Sequence, residues 1–183
     1  MDPDAEARFT RIYEAYYAQV VAYCGRRVGR VEAEDITSDV FAVLWKRIDD
    51  IDPATALPWL YGVAFRAIGN GLRSSKRRRR LRDRIGGLAP PLVRRPDEII
   101  VQREEDRHLI NQLSQLRPSD QEILRLAAWE SLNSADIAQV VGCSVNAAQQ
   151  RLSRAKRRLA SQLSKSSQGS ITTDLSTMEG GAT

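Results

Sequence analysis

The chain has 183 residues, of which 6% are aromatic and 28% are charged, and its net charge is +5. This length suits one ordinary domain or two small ones, and the scarcity of aromatic residues and of alternating Val, Ile and Thr runs argues against a sheet protein. No segment approaches the roughly 20 uninterrupted apolar residues of a membrane span. The first residues, MDPDAEARF, are acidic where a signal peptide is basic. We therefore expect an all-α chain that stays in the cytoplasm.

Charge is distributed unevenly along the sequence. Residues 1–52 carry seven basic and eleven acidic side chains, whereas residues 53–84 carry nine basic and one acidic. A basic segment favours a polyanion such as nucleic acid, and the acidic segment before it favours a different partner. The sequence therefore predicts two kinds of partner.

Residue types that carry catalysis or bind metals are sparse. Cys24 and Cys143 lie far apart and outside any Cys-x-x-Cys pair, which is typical of reduced core thiols. His108 is the single histidine and lies in a charged stretch, where we expect an exposed helical position. The sequence shows no phosphate-binding glycine loop and no nucleophile with a partner base. We predict no catalytic site, no metal and no cofactor.

Apolar spacing predicts three helices in the first half of the chain. The first runs to about Val28, where Gly29 can end it. The second has an apolar side and, on another side, an acidic face that includes Asp35 and Asp39. A third begins near Pro58, because proline is tolerated in the first turn of a helix. The apolar residues behind these predictions are Phe9, Ile12, Tyr13, Tyr16, Val20 and Tyr23, then Ile36, Val40, Val43, Leu44 and Ile48, then Leu60, Val63, Ala64, Ile68 and Leu72.

The third helix runs directly into a basic segment, SSKRRRRLRDR. Eight basic residues lie between Arg73 and Arg84. Such a run either binds a polyanion or is a solvated or disordered charge run. The following GGLAPPLVRRPDE breaks helical periodicity with two glycines and three prolines. We therefore predict a first domain over residues 1–84 and a flexible linker over residues 85–104.

Helical periodicity resumes near Ile99 and predicts a second helical domain over residues 105–163. Ser119 and Glu122 have the spacing of a capping box, so we expect a helix to begin at Ser119. From residue 164 the composition offers too little apolar surface to offset chain entropy. We therefore expect a disordered tail over residues 164–183.

A short helix, a glycine turn and a longer helix close this second domain. Ser134 begins the short helix, Gly142 permits the turn and Ser144 can cap the last helix. This order of elements matches a helix-turn-helix, and the alternative is a helix that only packs or docks on a protein. Glutamine can read adenine and arginine can grip guanine or phosphate, so we expect base contacts in the first turns and phosphate contacts at RAKRR. The apolar stripe is Val145, Ala148, Leu152, Ala155 and Leu159, and the outward residues include Asn146, Gln149, Gln150, Ser153, Arg154, Lys156 and Arg157.

Three segments resemble the extracytoplasmic-function (ECF) sigma factors, which are compact bacterial sigma factors with two helical domains and a flexible linker. AEDITSDVFAVLW resembles the family's helix that binds core RNA polymerase. ALPWLYGVAFRAIGNGLRSSKRRRR resembles its promoter-melting and minus-10-reading helices, and LSQLRPSDQEILRLAAWESLNSADIAQVVGCSVNAAQQRLSRAKRRL resembles its minus-35-reading domain. The resemblance extends from about Phe9 to Leu163, apart from the linker, and is specific because the three pieces occur in the family's order and spacing.

The resemblance implies a partner for each segment. The acidic helix would dock on the clamp helices of the polymerase's largest subunit, and its contacts would be Asp35, Ser38, Asp39, Phe41 and Trp45. The alternative for these residues is a solvated acidic face with two core aromatics. An anti-sigma protein is a further partner that the resemblance implies.

The resemblance also implies two DNA contacts. Holding the nontemplate strand of the minus-10 element requires flat side chains for unstacked bases and basic groups for phosphates. The third helix would supply these through Trp59, Tyr61, Phe65, Arg66, Asn70, Arg73, Lys76 and Arg77, with a core role as the alternative for Trp59 and Tyr61. The last helix would contact the minus-35 element through Asn146, Gln149, Gln150, Arg151, Ser153, Arg154 and Arg157.

The chain departs from the family's pattern at several of these positions. Ser38 and Asp39 stand where the family often has Gln and Glu, and Arg66 stands where some members have Asn. The family's common Thr-Val-Lys-Ser is replaced by residues 147–150, AAQQ, whereas RLSRAK is retained at residues 151–156. We therefore expect the family's scaffold and phosphate contacts with a different set of base-reading side chains.

The sequence thus predicts a noncatalytic initiation subunit, and two other classes of protein stay open. A conventional helix-turn-helix repressor or activator would bind duplex DNA without polymerase, usually as a dimer, and would not need the acidic helix. An RNA-binding or polymerase-associated adaptor would use the arginine run without any promoter preference. Core-dependent binding of specific promoter DNA separates these classes.

Overall fold

The computed structural model describes the backbone of residues 3–84 and 104–178 and the side chains of residues 4–71 and 108–164. Every regular element in these ranges is a helix. The chain divides into two compact units, one of residues 1–99 with residues 138–142 and the other of residues 100–137 with residues 143–183. The predicted all-α class with two helical domains is thereby confirmed. The predicted linker, residues 85–104, lies outside the described residues except for Glu104.

The first unit contains three long helices around one core. Gly29 separates the first two, with a φ of 89° that side-chain-bearing residues rarely adopt, so the predicted end of the first helix at Val28 is confirmed. Two short 3-10 helices, Ile48–Asp50 and Pro53–Thr55, connect the second helix to the third. The helices are α1 (Pro3–Val28), α2 (Arg30–Lys46) and α3 (Ala56–Arg84).

Each helix of the first unit contributes fully buried side chains to the core. These are Val20, Tyr23 and Cys24 from α1, Val40 and Leu44 from α2, and Leu60 and Ala64 from α3. Burial of one large apolar side chain stabilises the folded state by about 1.5–3 kcal/mol. Arg8 of α1 forms an ion pair with Asp49 and donates a hydrogen bond to the carbonyl oxygen of Ile48 at 3.3 Å, which ties the connection to α1.

Among the described residues, four helices follow residue 99, of which three lie wholly in the second unit and one lies in it only up to Ile137. The core of the second unit joins Leu113, Leu116 and Leu124 to Ala155, with Leu152 and Leu159 packed against it. The side-chain amide of Gln121 donates to the carbonyl oxygens of Ser114 and Leu116, at 3.0 and 2.8 Å. These bonds stabilise the turn between the first two helices of the unit. The helices are α4 (Glu104–Ser114), α5 (Pro118–Ala128), α6 (Ser134–Val141) and α7 (Val145–Met178).

The start of α5 differs from the sequence prediction. The helix begins at Pro118, and Arg117, its N-cap residue, makes no side-chain capping bond. The predicted capping box at Ser119 is therefore wrong. Proline suits the first helical position because the N–H that it lacks has no partner in the helix there. Asp120 in the first turn complements the helix dipole and forms an ion pair with Arg158 of α7.

The helix-turn-helix forms as predicted. The Asn133 side-chain oxygen accepts hydrogen bonds from the N–H groups of Ala135 and Asp136, at 2.8 and 3.0 Å, and caps α6. Gly142 has a φ of 69°, which ends α6, and Ser144 Oγ accepts a hydrogen bond from the Ala147 N–H at 3.2 Å. The predicted roles of Gly142 and Ser144 are confirmed.

The last helix extends beyond the predicted second domain. α7 continues to Met178 and so includes most of the segment expected to be a disordered tail, residues 164–183. Once a helix has formed, adding further residues to its end costs little free energy. The prediction of a disordered tail considered only the low apolar content of the segment and not this extension. Val145, expected on the packing stripe, is exposed. The predicted domain boundaries otherwise stay predictions.

Neither cysteine is in a disulfide, and Cys24 is buried whereas Cys143 is half-buried. His108 is exposed on α4, as expected. None of the helices in the described parts of the chain combines the length and apolar composition that a membrane crossing requires.

Candidate functional surfaces

An acidic surface lies on α2. Asp35, Ser38 and Asp39 are all exposed, and they lie on the side of the helix away from the buried Ala33 and Leu44. Ser38 Oγ donates to the backbone carbonyl of Glu34, four residues earlier, at 3.0 Å. This bond fixes the hydroxyl against the helix and leaves its oxygen lone pairs exposed. We call Asp35, Ser38 and Asp39, together with the exposed Glu34, the acidic surface.

The two aromatic residues expected on this surface differ in exposure. Phe41 is only 4% exposed, and its ring packs against Tyr13 and Tyr17, with centroids 4.9 and 5.8 Å apart. Trp45 is 38% exposed and meets the ring of Phe9 edge-on at 5.2 Å. The structure therefore favours a packing role for Phe41 over the expected contact role, whereas Trp45 presents part of its ring to a partner.

Tyr61, one of the residues expected to contact DNA, is in the core. It is 2% exposed, and its ring stacks on that of Tyr23 with centroids 4.7 Å apart. The Arg27 guanidinium lies 3.6 Å from the Tyr23 ring centroid and donates to the Tyr23 carbonyl oxygen at 2.9 Å. The core alternative is thus favoured for Tyr61, because the stack fixes α1 against α3.

A polar and aromatic stripe follows α3 on its exposed side. Trp59 and Val63 are half-buried and Arg66 and Asn70 are exposed. Their steps of four, three and four residues place them in one line along the helix. Phe65 is half-buried and falls off this line. The positions of three further candidates, Arg73, Lys76 and Arg77, are helical, and their side chains lie outside the described residues.

All seven side chains expected to contact the minus-35 element are exposed on α7. At about 100° per residue, five of them fall within roughly a third of the helix circumference. The buried Ala148 and Ala155 lie on the opposite side. We call the following five residues the recognition stripe: Asn146, Gln149, Gln150, Ser153 and Arg157.

Two hydrogen bonds fix side chains along this stripe. Gln150 Nε2 donates to Asn146 Oδ1 at 3.4 Å. Arg154 Nε donates to the backbone carbonyl of Gln150 at 3.2 Å. The first two turns thus present amide groups, and the following turns present guanidinium groups.

A groove between the start of α5 and α7 is lined mainly by positively charged side chains. It measures about 440 Å³ and is lined by Ser119, Asp120, Ile123 and four arginines. Two of these arginines, Arg151 and Arg154, were expected at the DNA interface. Arg158 belongs to the RAKRR segment, for which phosphate contacts were expected. Arg117 was missed because only the packing of α5 on α7 brings it close to residues more than 30 positions away.

Within residues 4–71 and 108–164, no group of three or more His, Cys, Asp or Glu side chains is placed to hold a metal ion.

Comparison with known proteins identifies both units. A family model described as Sigma-70 region 2 matches residues 12–78, and one described as Sigma-70, region 4 matches residues 107–159. The chain is 30% identical over 161 residues to the probable RNA polymerase sigma factor RfaY of Xanthomonas campestris, covering 80% of this chain and 40% of the relative. It is 29% identical over 157 residues to the ECF RNA polymerase sigma factor BldN of Streptomyces coelicolor, covering 83% of this chain and 59% of the relative. The chain therefore spans about half the length of these two relatives.

A solved structure has the same fold. The sigma factor RpoE from Bartonella quintana, crystallised with the anti-sigma factor NepR, matches with a TM-score of 0.61 and 21% identity. The match covers 85% of this chain and 96% of that chain. Both family regions occur in the order that the sequence predicts, with the region 2 match inside the first unit and most of the region 4 match in the second. The chain belongs to the ECF RNA polymerase sigma factors, with region 2 in its first unit and region 4 in its second.

Proposed function

We propose that this chain is an alternative sigma factor that binds core RNA polymerase and directs promoter-specific initiation of transcription. The observation that carries the proposal is the presence of surfaces of opposite character in the two units. The acidic surface of α2 suits a protein partner with basic side chains, and the recognition stripe of α7 suits a DNA major groove. A repressor or activator that binds duplex DNA without polymerase has no use for the acidic surface.

The polymerase contact is assigned to the acidic surface and Trp45. Asp35 and Asp39 are both exposed, so they remain hydrated until a cationic partner approaches. Exposed charges of this kind raise the rate and specificity of association more than they raise final affinity. The clamp helices of the polymerase's largest subunit are the partner that family membership favours.

Promoter DNA is the second partner. The exposed line on α3 presents the indole of Trp59 to an unstacked base, and Arg66 to the strand backbone. The recognition stripe enters the major groove of the minus-35 element, while Arg117, Arg151 and Arg154 of the groove contact phosphates. Phosphate contacts of this type position the protein on the duplex without reading sequence.

An anti-sigma protein is a third partner. The solved structure with this fold holds such a protein bound to its sigma factor. Binding of an anti-sigma protein would compete with polymerase by covering one of the two units. In this function the chain acts in the cytoplasm, needs no cofactor and has no catalytic activity of its own, because the polymerase carries out RNA synthesis.

Core-dependent DNA binding tests the function. A fluorescent promoter library would be incubated with the protein alone, with core polymerase alone and with both, and bound fragments would be sequenced. We expect selective enrichment only when both are present, and loss of that enrichment in Asp35→Lys/Asp39→Lys. The control is Glu6→Lys/Glu14→Lys, which makes the same charge change at exposed positions of α1. Selective binding by the protein alone would instead establish the repressor or activator class.

A further inference from the structure

The first two turns of α7 carry a pair of amide side chains that are hydrogen-bonded to each other. Asn146 and Gln150 are four residues apart, so they lie one above the other on the helix. Both are exposed, and Gln150 Nε2 donates to Asn146 Oδ1 at 3.4 Å. Ser144 caps the same helix end through the Ala147 N–H. The pair therefore lies on the turns that enter the major groove in a helix-turn-helix.

The hydrogen bond between the two amides leaves each side chain with a different set of free donors and acceptors. A side-chain amide has one carbonyl oxygen and two N–H groups. Gln150 uses one N–H toward Asn146 and keeps its oxygen and its second N–H. Asn146 has its oxygen engaged and offers mainly its N–H groups. Gln150 is thus the member that can still donate and accept at once.

Adenine is the base whose major-groove edge matches the free N–H group and oxygen of Gln150. In the major groove it presents the N7 acceptor beside the N6 amino donor, whereas guanine presents two acceptors, cytosine a donor and thymine an acceptor. A glutamine that offers one N–H and one oxygen makes a bidentate contact with adenine alone. With guanine, its oxygen would face another acceptor.

The hydrogen bond to Asn146 also restricts the side chain of Gln150 before DNA binds. A long side chain that is already held loses less conformational entropy on binding. Arg154 adds to this arrangement, because its Nε donates to the Gln150 carbonyl at 3.2 Å and leaves its terminal nitrogens for a phosphate. Gln149 is the adjacent exposed glutamine, and the contacts described here do not join it to Asn146.

We infer that Gln150 reads an adenine of the minus-35 element and that Asn146 is its positioning residue. This inference rests on the proposed function. It gives a specific role to Gln150, the last residue of the AAQQ segment at residues 147–150.

Run-off transcription with core polymerase on templates randomised at the minus-35 element tests the inference. For the unmodified protein we expect at least about a fivefold preference for adenine at one position, the lower limit for a bidentate contact. Replacing that adenine by 7-deazaadenine removes the N7 acceptor and should lower transcription by a similar factor. Gln150→Ala should lose both the preference and the sensitivity to 7-deazaadenine. Asn146→Ala should retain part of the preference.

Two controls separate direct reading from general damage. Gln149→Ala, also on the recognition stripe, should lower total transcription while keeping the preference for adenine at that position. Gln19→Ala, at an exposed glutamine of α1, should behave as the unmodified protein. Transcription that persists in Gln150→Ala with the same adenine preference would overturn the inference and leave the sigma function intact. Absence of core-dependent transcription from every template would overturn the proposed function itself.

Discussion

Asp35 of α2 and Gln150 of α7 are exposed, whereas Phe41 and Tyr61 are buried. The exposed positions of Asp35 and Gln150 follow from helical spacing, because polar side chains opposite an apolar stripe lie in solvent. The same spacing does not decide how far an aromatic side chain at the border of the stripe is buried. Phe41 and Tyr61 were candidates for partner contacts, yet their rings complete aromatic clusters between helices. Such clusters depend on tertiary packing, which periodicity along one helix does not contain.

A buried hydroxyl provides a test of the first unit's core. Thr37 is fully buried on α2, and its Oγ1 has no hydrogen-bond partner among the described residues. Thr37→Val keeps the shape and removes the unpaired polar group, so we expect the free energy of unfolding to rise by about 1 kcal/mol. Urea denaturation followed by circular dichroism would measure it. The same change at the exposed Thr10 should have little effect, and a loss of stability in Thr37→Val would show that the hydroxyl is satisfied.

Elements were predicted well where local chemistry determines them. Gly29, Gly142 and Ser144 are turn and cap residues whose roles depend on their own backbone conformation, and the structure confirms them. The predicted start of α5 was wrong because two local signals compete there, the capping-box spacing from Ser119 and the proline at residue 118. Pro118 and the Asp120 ion pair fix the helix start one residue before the predicted capping box.

The turn of the helix-turn-helix should depend on its glycine. Gly142 has a φ of 69°, and an added Cβ would meet no atom within 4 Å, so only backbone strain opposes a side chain there. We expect Gly142→Ala to destabilise the helix-turn-helix by about 1–2 kcal/mol. Gly25→Ala, inside α1 and equally free of contacts, should instead stabilise the first unit by about 0.5–1 kcal/mol.

Amide hydrogen exchange, read separately in α1 and in α6 and α7, would measure these two effects. Equal destabilisation by both glycine replacements would contradict the account, because only Gly142 of the two has a positive φ that opposes a side chain.

At the scale of the whole molecule, charge divides the functions. The acidic surface lies in the first unit and the basic side chains of α7 lie in the second, whereas the acidic and basic segments contrasted in the sequence, residues 1–52 and 53–84, both lie in the first unit. The sequence predicted which polar side chains of α2 and α7 are exposed, and the kinds of partner stay predictions. It did not predict the groove that joins Arg117 to Arg151 and Arg154, since that groove requires α5 to pack on α7.

Salt dependence tests the phosphate contacts of the second unit. Each phosphate neutralised by a basic side chain releases counterions from DNA, so affinity falls as salt concentration rises. A plot of log affinity against log salt concentration has a negative slope. We expect Arg154→Gln and Arg157→Gln each to reduce the magnitude of this slope by about 1 for the polymerase-bound protein. Arg11→Gln, at an exposed position of α1, should leave the slope unchanged. An unchanged slope in all three variants would exclude phosphate contacts by these α7 residues.

The most direct test of the central claim is run-off transcription with purified core polymerase, on a promoter selected in the presence of this chain. We predict a defined transcript that appears only with core polymerase and this chain together. It should be strongly reduced on every promoter by Asp35→Lys/Asp39→Lys and retained with Glu6→Lys/Glu14→Lys. A core polymerase that gains no start site, with the chain alone binding duplex DNA, would contradict the sigma function.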